Sequence, residues 1–189
     1  MAPRRRWASL HPVTAAPVPV WPPSATTPPD DVEPAVRAPG APAPGEPIRP
    51  HYPYCFGCGP LSPAGLHLQL TAGEGTTISS ELIVTEHHQG APGMAHGGLL
   101  ATAFDETMGF LLWLVGTPAV TARLETDFQL PVPVGSRLFL TCACLGVQRR
   151  KVYVRGVARM GSPDGPVALR AAALFVAVPP EHPSRSSAR

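Results

Sequence analysis

HQGAPGMAHGGLLATAFDETMG, residues 88–109, joins a glycine-rich turn to a long apolar run that carries two adjacent acids, Asp105 and Glu106. The run from Leu99 to Val115 is apolar on nearly every side, which predicts a helix surrounded by protein. Gly97-Gly98 opens it, Gly116 stands where a left-handed cap is wanted, and Pro118 forbids continuation. About 18 residues at 1.5 Å each span roughly 27 Å, close to an eight-residue strand at ~3.3 Å per residue, so a curled sheet can wrap such a helix. A membrane span is the competing reading, but the run is short for one. An acid at a membrane helix centre costs roughly 2.5–3.5 kcal/mol, and here there are two.

Outward from the helix the pattern changes to period two. Leu66, Leu68 and Leu70 alternate with His67, Gln69 and Thr71, and Ile78, Ser80, Leu82 and Val84 alternate with Ser79, Glu81, Ile83 and Thr85, with a turn at Gly73-Glu74-Gly75 between them. After the helix, Val120, Ala122, Leu124 and Phe128 alternate with polar residues. Three more strands follow around 136–147, 151–160 and 166–178, with turns at 148–150 and 162–165. One long helix among about six antiparallel strands is an α+β layout.

More than half of the 26 prolines fall in residues 1–50. Such a segment buries too little surface to offset its ordering entropy, so residues 1–50 and 179–189 are expected to be disordered tails around a single domain at 51–178. A net charge of +2 leaves no basic stripe, so nucleic acid is not expected as a partner. The arginines near the N-terminus lack an apolar stretch behind them, and four cysteines are too few for a disulfide framework. A cytoplasmic protein is expected, with no membrane partner.

Buried carboxylates need partners, and the helix carries no Lys or Arg. Asp105 and Glu106 diverge by about 100° around the axis, so at most one points at a given reacting atom. Asp105 has the small Ala101 and Gly109 four residues to either side, leaving room for a ligand or a closely packed helix. His96-Gly97-Gly98 presents backbone N–H groups at a helix N-terminus, which can polarise a carbonyl and hold an oxyanion. A carboxylate two turns along can activate water or attack directly. Together these point to ester or thioester hydrolysis.

The opening stretch, followed by TPAVTARLETDFQLPVPVGSRL (117–138) and preceded by CFGCGPLSPAGLHLQL (55–70), resembles the hotdog-fold acyl-CoA thioesterases, in particular the phenylacetyl-CoA thioesterase-like (PaaI-like) group. The resemblance covers roughly His51 to Val178. It implies a hotdog fold, a long helix wrapped by a curved antiparallel sheet, with units pairing edge to edge as a homodimer or homotetramer and active sites at the interface. It also implies that Asp105 is general base or nucleophile, Gly97 gives the oxyanion N–H, and His96 orients the site. Thr121 would reach substrate or water from the partner subunit. Gly98, Met94 and Glu106 are candidates for substrate contact. Many relatives carry Asn six residues before the His; this chain has Gly90 there, beside Gln89.

Each of these residues also has a plainer reading. Asp105 can be a structural acid, Glu106 a solvated or dimer-bonded one, His96 a cap, and Thr121 an ordinary strand threonine. Met94, Phe104, Met108 and Trp113 either line a pocket or fill the core. Cys55-Phe56-Gly57-Cys58 invites a zinc reading, but the nearest further ligands, His51 and His67, stand at no recognised spacing. The pair is read instead as a glycine-rich entry turn, and no metal or cofactor is expected. Cys142 and Cys144 share one face of a strand and are read as core. Arg149 and Arg150, at a hairpin tip, are candidates for the phosphates of an acyl-CoA substrate. Acyl-CoA hydrolysis is the leading expectation, ahead of a non-catalytic acyl-CoA-binding module and of a hydratase or dehydratase.

Overall fold

The computed structural model describes residues 25–179. Its one long helix, α1 (Gly97–Leu114), lies against a seven-stranded sheet of β1 (Pro47–Ile48), β2 (Gln69–Ala72), β3 (Thr77–Ile83), β4 (Ala119–Phe128), β5 (Arg137–Gln148), β6 (Lys151–Met160) and β7 (Val167–Ala177). The spatial order is β1-β2-β3-β5-β6-β7-β4, with every pairing antiparallel. This is the helix-in-sheet α+β arrangement that the resemblance implies.

Period-two patterning decides which face meets the helix. Leu138, Leu140, Cys142 and Cys144 of β5 are all buried, as are Val152, Val154 and Ala158 of β6. They close over Phe104, Met108, Leu111 and Leu114 of α1, each at most 0% exposed. Fully burying such a side chain is worth roughly 1.5–3 kcal/mol, so this layer is the main source of the fold's stability. The closest approach is at Gly156, where a Cβ would stand 2.6 Å from Cys142 Sγ and 2.9 Å from the Phe104 ring. Only a glycine lets the helix settle there. Phe104 and Met108 are therefore core residues, whereas Trp113 is half exposed.

The helix ends where the punctuation predicts. At its start the His96 ring accepts the Gly98 N–H through Nδ1 at 3.0 Å. At its end Gly116 takes φ of 64°, the left-handed conformation that frees it to turn back.

Two expectations need correction. Strand β2 begins at Gln69 rather than Leu66, because His67 sits at φ of 49° and donates from Nδ1 to the Gly59 carbonyl. A left-handed residue cannot continue a pleated ladder. The larger correction concerns residues 25–50, assigned from their prolines to a disordered tail. Pro47 and Ile48 form β1 on the edge of β2, Glu33 bridges to Val147, and the Ala38 N–H donates to the Leu114 carbonyl at 2.7 Å. Proline limits what a segment can bury by itself; it does not prevent docking onto a sheet edge and a helix end that need partners. The tail expectation for residues 1–24 and 180–189 lies outside the described residues.

Candidate active site

Asp105 lies midway along α1 and is half-buried rather than sealed in the core. Its Oδ1 accepts a 2.8 Å hydrogen bond from Thr121 Oγ1, near the start of β4. A bulge follows at once: Thr121 pairs with Phe175 and Arg123 with Leu174, leaving Ala122 without an opposite residue. Bulges re-aim neighbouring side chains, and this one sits where a hydroxyl is turned toward a carboxylate.

Both groups face a cavity of about 630 Å³ whose walls include Gly109, Phe110, Trp113 and Val120. The Phe110 and Trp113 rings stack with centroids 6.1 Å apart. A Cβ built on Gly109 would meet nothing within 4 Å, so the space expected beside Asp105 is open. A larger cavity of about 1120 Å³, lined by His87, His88 and Phe139 among others, contains none of the expected site residues.

His96, Gly97 and Gly98 gather at the N-terminus of the helix. The His96 ring occupies the Gly98 N–H, while no acceptor among the described residues takes the Gly97 N–H. The turn that precedes them is tightly held. His96 N–H donates to the His88 carbonyl, Ala95 N–H to Val132, and Gly93 N–H to the Gln89 side chain. Gly90 has a steric reason: a Cβ there would stand 2.9 Å from His96 Cα. An Asn cannot occupy that position without moving His96, and Gln89 folds back on its own loop instead of replacing it. Met94 lies on the exposed side of the turn, bridged to Pro133.

His88 went unnoticed in the sequence. It is buried, its Nδ1 accepts the Thr85 N–H at 3.2 Å, and burial lowers its pKa below 6.5. Nothing in the patterning distinguishes it from its exposed neighbour His87.

The structure brings Asp105 and Thr121 together within one chain, although Thr121 was expected to arrive from a partner. It does not bring Asp105 to Gly97. Eight residues of helix separate them, about 12 Å along the axis, too far for both to reach one carbonyl group. Each chain therefore holds these two candidate groups apart on α1.

Glu106 is also placed differently from expectation. Rather than meeting solvent, its carboxylate accepts from Cys55 Sγ at 3.3 Å and lies 3.8 Å from His51 Nδ1. Cys58 Sγ is 3.6 Å from the same His51 nitrogen, and burial together with the Glu106 carboxylate pushes the Cys58 thiol well up. His51 and Glu106 form part of the cavity wall. Arg149 and Arg150 are exposed at the tip between β5 and β6, where the Arg150 guanidinium donates to the Ala177 carbonyl at 2.9 Å. Ala177 pairs with Ala119, a residue of the cavity wall, so the arginines stand at the same end of the sheet as the cavity.

Comparison with known proteins agrees with this fold. Residues 92–164 match the thioesterase superfamily. The acyl-coenzyme A thioesterase THEM4 of Rattus norvegicus is 31% identical over 97 residues, which are 51% of this chain and 41% of that protein. The chain thus spans less than half the length of that relative. Among solved structures, a thioesterase superfamily protein is similar with a TM-score of 0.61 at 27% identity, covering 72% of this chain and 70% of the other. The PaaI protein of E. coli, from the phenylacetic acid degradation operon, superposes with a TM-score of 0.56 at 15% identity over 60% of this chain and 81% of its own. The resemblance drawn from the sequence is borne out as a likeness to thioesterases, and the fold is a hotdog. No helix among the described residues is long and apolar enough to cross a membrane.

Proposed function

We propose that this hotdog domain, whose residues 92–164 carry the thioesterase-superfamily match, hydrolyses an acyl-CoA thioester to a carboxylate and free CoA. The observation that carries this reading is the Asp105–Thr121 pair at the rim of a cavity with an aromatic wall. A pure binding module gains nothing from a carboxylate oriented by a hydroxyl beside an apolar site. Asp105 either takes a proton from water as it attacks the thioester carbonyl, or attacks that carbon itself to give, once CoA has left, an acyl–Asp105 anhydride that water hydrolyses to the carboxylate and free Asp105; Thr121 holds the carboxylate in position. As the carbonyl becomes tetrahedral, the Gly97 N–H stabilises its oxygen. The C–S bond then breaks and the CoA thiolate leaves; a thiol of pKa about 8.5 needs no strong general acid to depart.

Because Gly97 and Asp105 stand about 12 Å apart on one helix, the proposal requires two copies, each supplying one half-site. Strand β4 favours this assembly. It is a ten-residue strand on the sheet edge, paired among the described residues only with β7, and such an edge is a template for pairing with a second copy. Phe128 and Leu130, at or just beyond its end, are exposed. His96 shapes the oxyanion turn through its cap on Gly98. In this reading Met94 and Gly98 border the acyl group, and Arg149 and Arg150 meet the CoA phosphates.

The test is a panel of acyl-CoAs with a thiol-reactive dye. Thiol release dependent on the protein supports the reading. Tight CoA-ester binding without thiol release would instead favour a binding module, and loss of enoyl absorbance without thiol release a hydratase.

A further inference from the structure

The leader preceding β2 and the central helix meet at a cluster unused by the proposed reaction. His51, Cys55, Cys58 and Glu106 each offer one ligand atom, all within 4.8 Å of one another. The sequence reading set zinc aside because His51 and His67, the nearest further candidates to Cys55-x-x-Cys58, stand at no recognised spacing. The fold supplies both: His51 from just upstream, and Glu106 from a helix 51 residues beyond Cys55.

We propose that these four side chains form a structural zinc site that pins the leader to α1. The donor set fits. Two thiolates with an imidazole select zinc over the hard, oxygen-preferring cations, and four protein ligands close the coordination shell as structural sites do. The spacing fits as well. Ligands at about 2.0–2.3 Å from a tetrahedral zinc stand about 3.3–3.8 Å from one another. Here Cys55 Sγ lies 3.3 Å and 3.5 Å from the two Glu106 oxygens, Cys58 Sγ 3.6 Å from His51 Nδ1, and His51 Nδ1 3.8 Å from Glu106 Oε1. Three of the six donor–donor edges thus already have the lengths of a tetrahedral site, and the other three lie within 4.8 Å.

The backbone around the pair is shaped for this contact. A Cβ on Gly57 would stand 2.3 Å from Glu106 Cδ, so only glycine lets the carboxylate press against the turn between the cysteines. A Cβ on Gly59 would meet the Cys55 backbone nitrogen at 2.4 Å. Both glycines permit a turn tight enough to aim two sulfurs at one point. Glu106 carries the consequence for the proposed activity: it is the helix neighbour of Asp105, and it shares the cavity wall with His51. A zinc at this point fixes the floor of the cavity without an open coordination position for substrate, and so acts as a structural anchor.

The experiment is metal analysis of the purified full chain by mass spectrometry, followed by replacement with Co²⁺ and visible spectroscopy. The expected result is about one zinc per chain, and for the Co²⁺ form the intense d–d bands and thiolate charge transfer of a tetrahedral site. Cys55→Ser lowers the charge-transfer signal about twofold or more, since one of the two thiolates is lost. The near-isosteric Glu106→Gln, which keeps the shape of the turn, weakens zinc affinity on the order of 10²-fold, at or above the effect of losing an outer partner. Cys144→Ala, a buried β5 residue outside the cluster, keeps full zinc content. Four titratable thiols with no zinc bound after reconstitution overturns the site, as does equal zinc loss in Cys144→Ala. None of these readouts uses acyl-CoA, so failure here leaves the hydrolase test standing, and failure there leaves the zinc test standing.

Discussion

Thr121 Oγ1 donates to Asp105 Oδ1 at 2.8 Å from the residue that precedes a β-bulge. The bulge turns the hydroxyl onto one carboxylate oxygen of a residue that lines the cavity. If Asp105 is base or nucleophile, Asp105→Asn keeps both shape and hydrogen bond while removing the basic lone pair. Turnover of acyl-CoA is expected to fall by about 10²–10⁴ with the melting temperature unchanged or raised. Thr121→Val removes orientation alone, and a loss of about tenfold is expected, consistent with one hydrogen bond to a charged group. Near-normal turnover of Asp105→Asn would refute the assignment.

Much of this arrangement was legible in the sequence because it rests on local punctuation. Gly97-Gly98, Gly116 and Pro118 bound a helix whose apolar residues leave no polar face, and alternating residues mark the strands of a wrapping sheet. What could not be read depends on long-range meetings. Glu106 and the Cys55-x-x-Cys58 pair are far apart in the chain and converge only when the leader crosses the helix. The docking of residues 25–50 was hidden for a similar reason: proline and alanine carry no periodic signal, and the partners of Ala38 and Ile48 are a helix end and a sheet edge. The roughly 12 Å between Gly97 and Asp105 was available from helix geometry, yet only the structure shows that Thr121 meets Asp105 within the same chain.

The leader gives a stability prediction. A chain beginning at residue 25 keeps β1, the buried Ile48 and the Ala38 bond to the helix end, whereas a chain beginning at His51 loses all three. Ile48 burial is worth roughly 1.5–3 kcal/mol and each hydrogen bond about 0.5–1.5 kcal/mol. The shorter chain is expected to melt on the order of 5–10 °C lower. Identical melting curves for the two would show that the docked leader contributes nothing.

His88 gives a pH prediction. Its Nδ1 must be unprotonated to accept the Thr85 N–H, and burial lowers its pKa below the ordinary 6.5. Between the folded value and 6.5 the unfolded chain binds the proton and the folded chain does not. Stability from this group is therefore present above pH 6.5 and lost as pH falls below it. Urea midpoints measured from about pH 7.5 to about pH 5.5 should decline more steeply for the wild type than for His88→Asn, which retains an acceptor without a titrating ring. Parallel declines in the two proteins would remove His88 from the account.

The two-copy site makes the most discriminating prediction, because it asks which chain supplies which half. Gly97→Pro deletes the N–H that no described residue accepts, at the first helical position, where proline is well tolerated. The added ring carbons have to share space with Phe128, 3.3 Å from a Cβ at this position, so folding of the variant is checked by circular dichroism first. Gly97→Pro and Asp105→Asn should each be nearly inactive alone. In a mixed dimer, however, one site draws an intact Gly97 from the Asp105→Asn chain and an intact Asp105 from the Gly97→Pro chain, while the other site carries both defects. Random mixing makes about half of the dimers mixed with one working site each, so about a quarter of wild-type activity should return. The recovery should appear only after dissociation and reassociation, and it should fade on dilution as dimers separate. If the half-sites instead acted within a single chain, no mixture of the two inactive variants could recover any turnover.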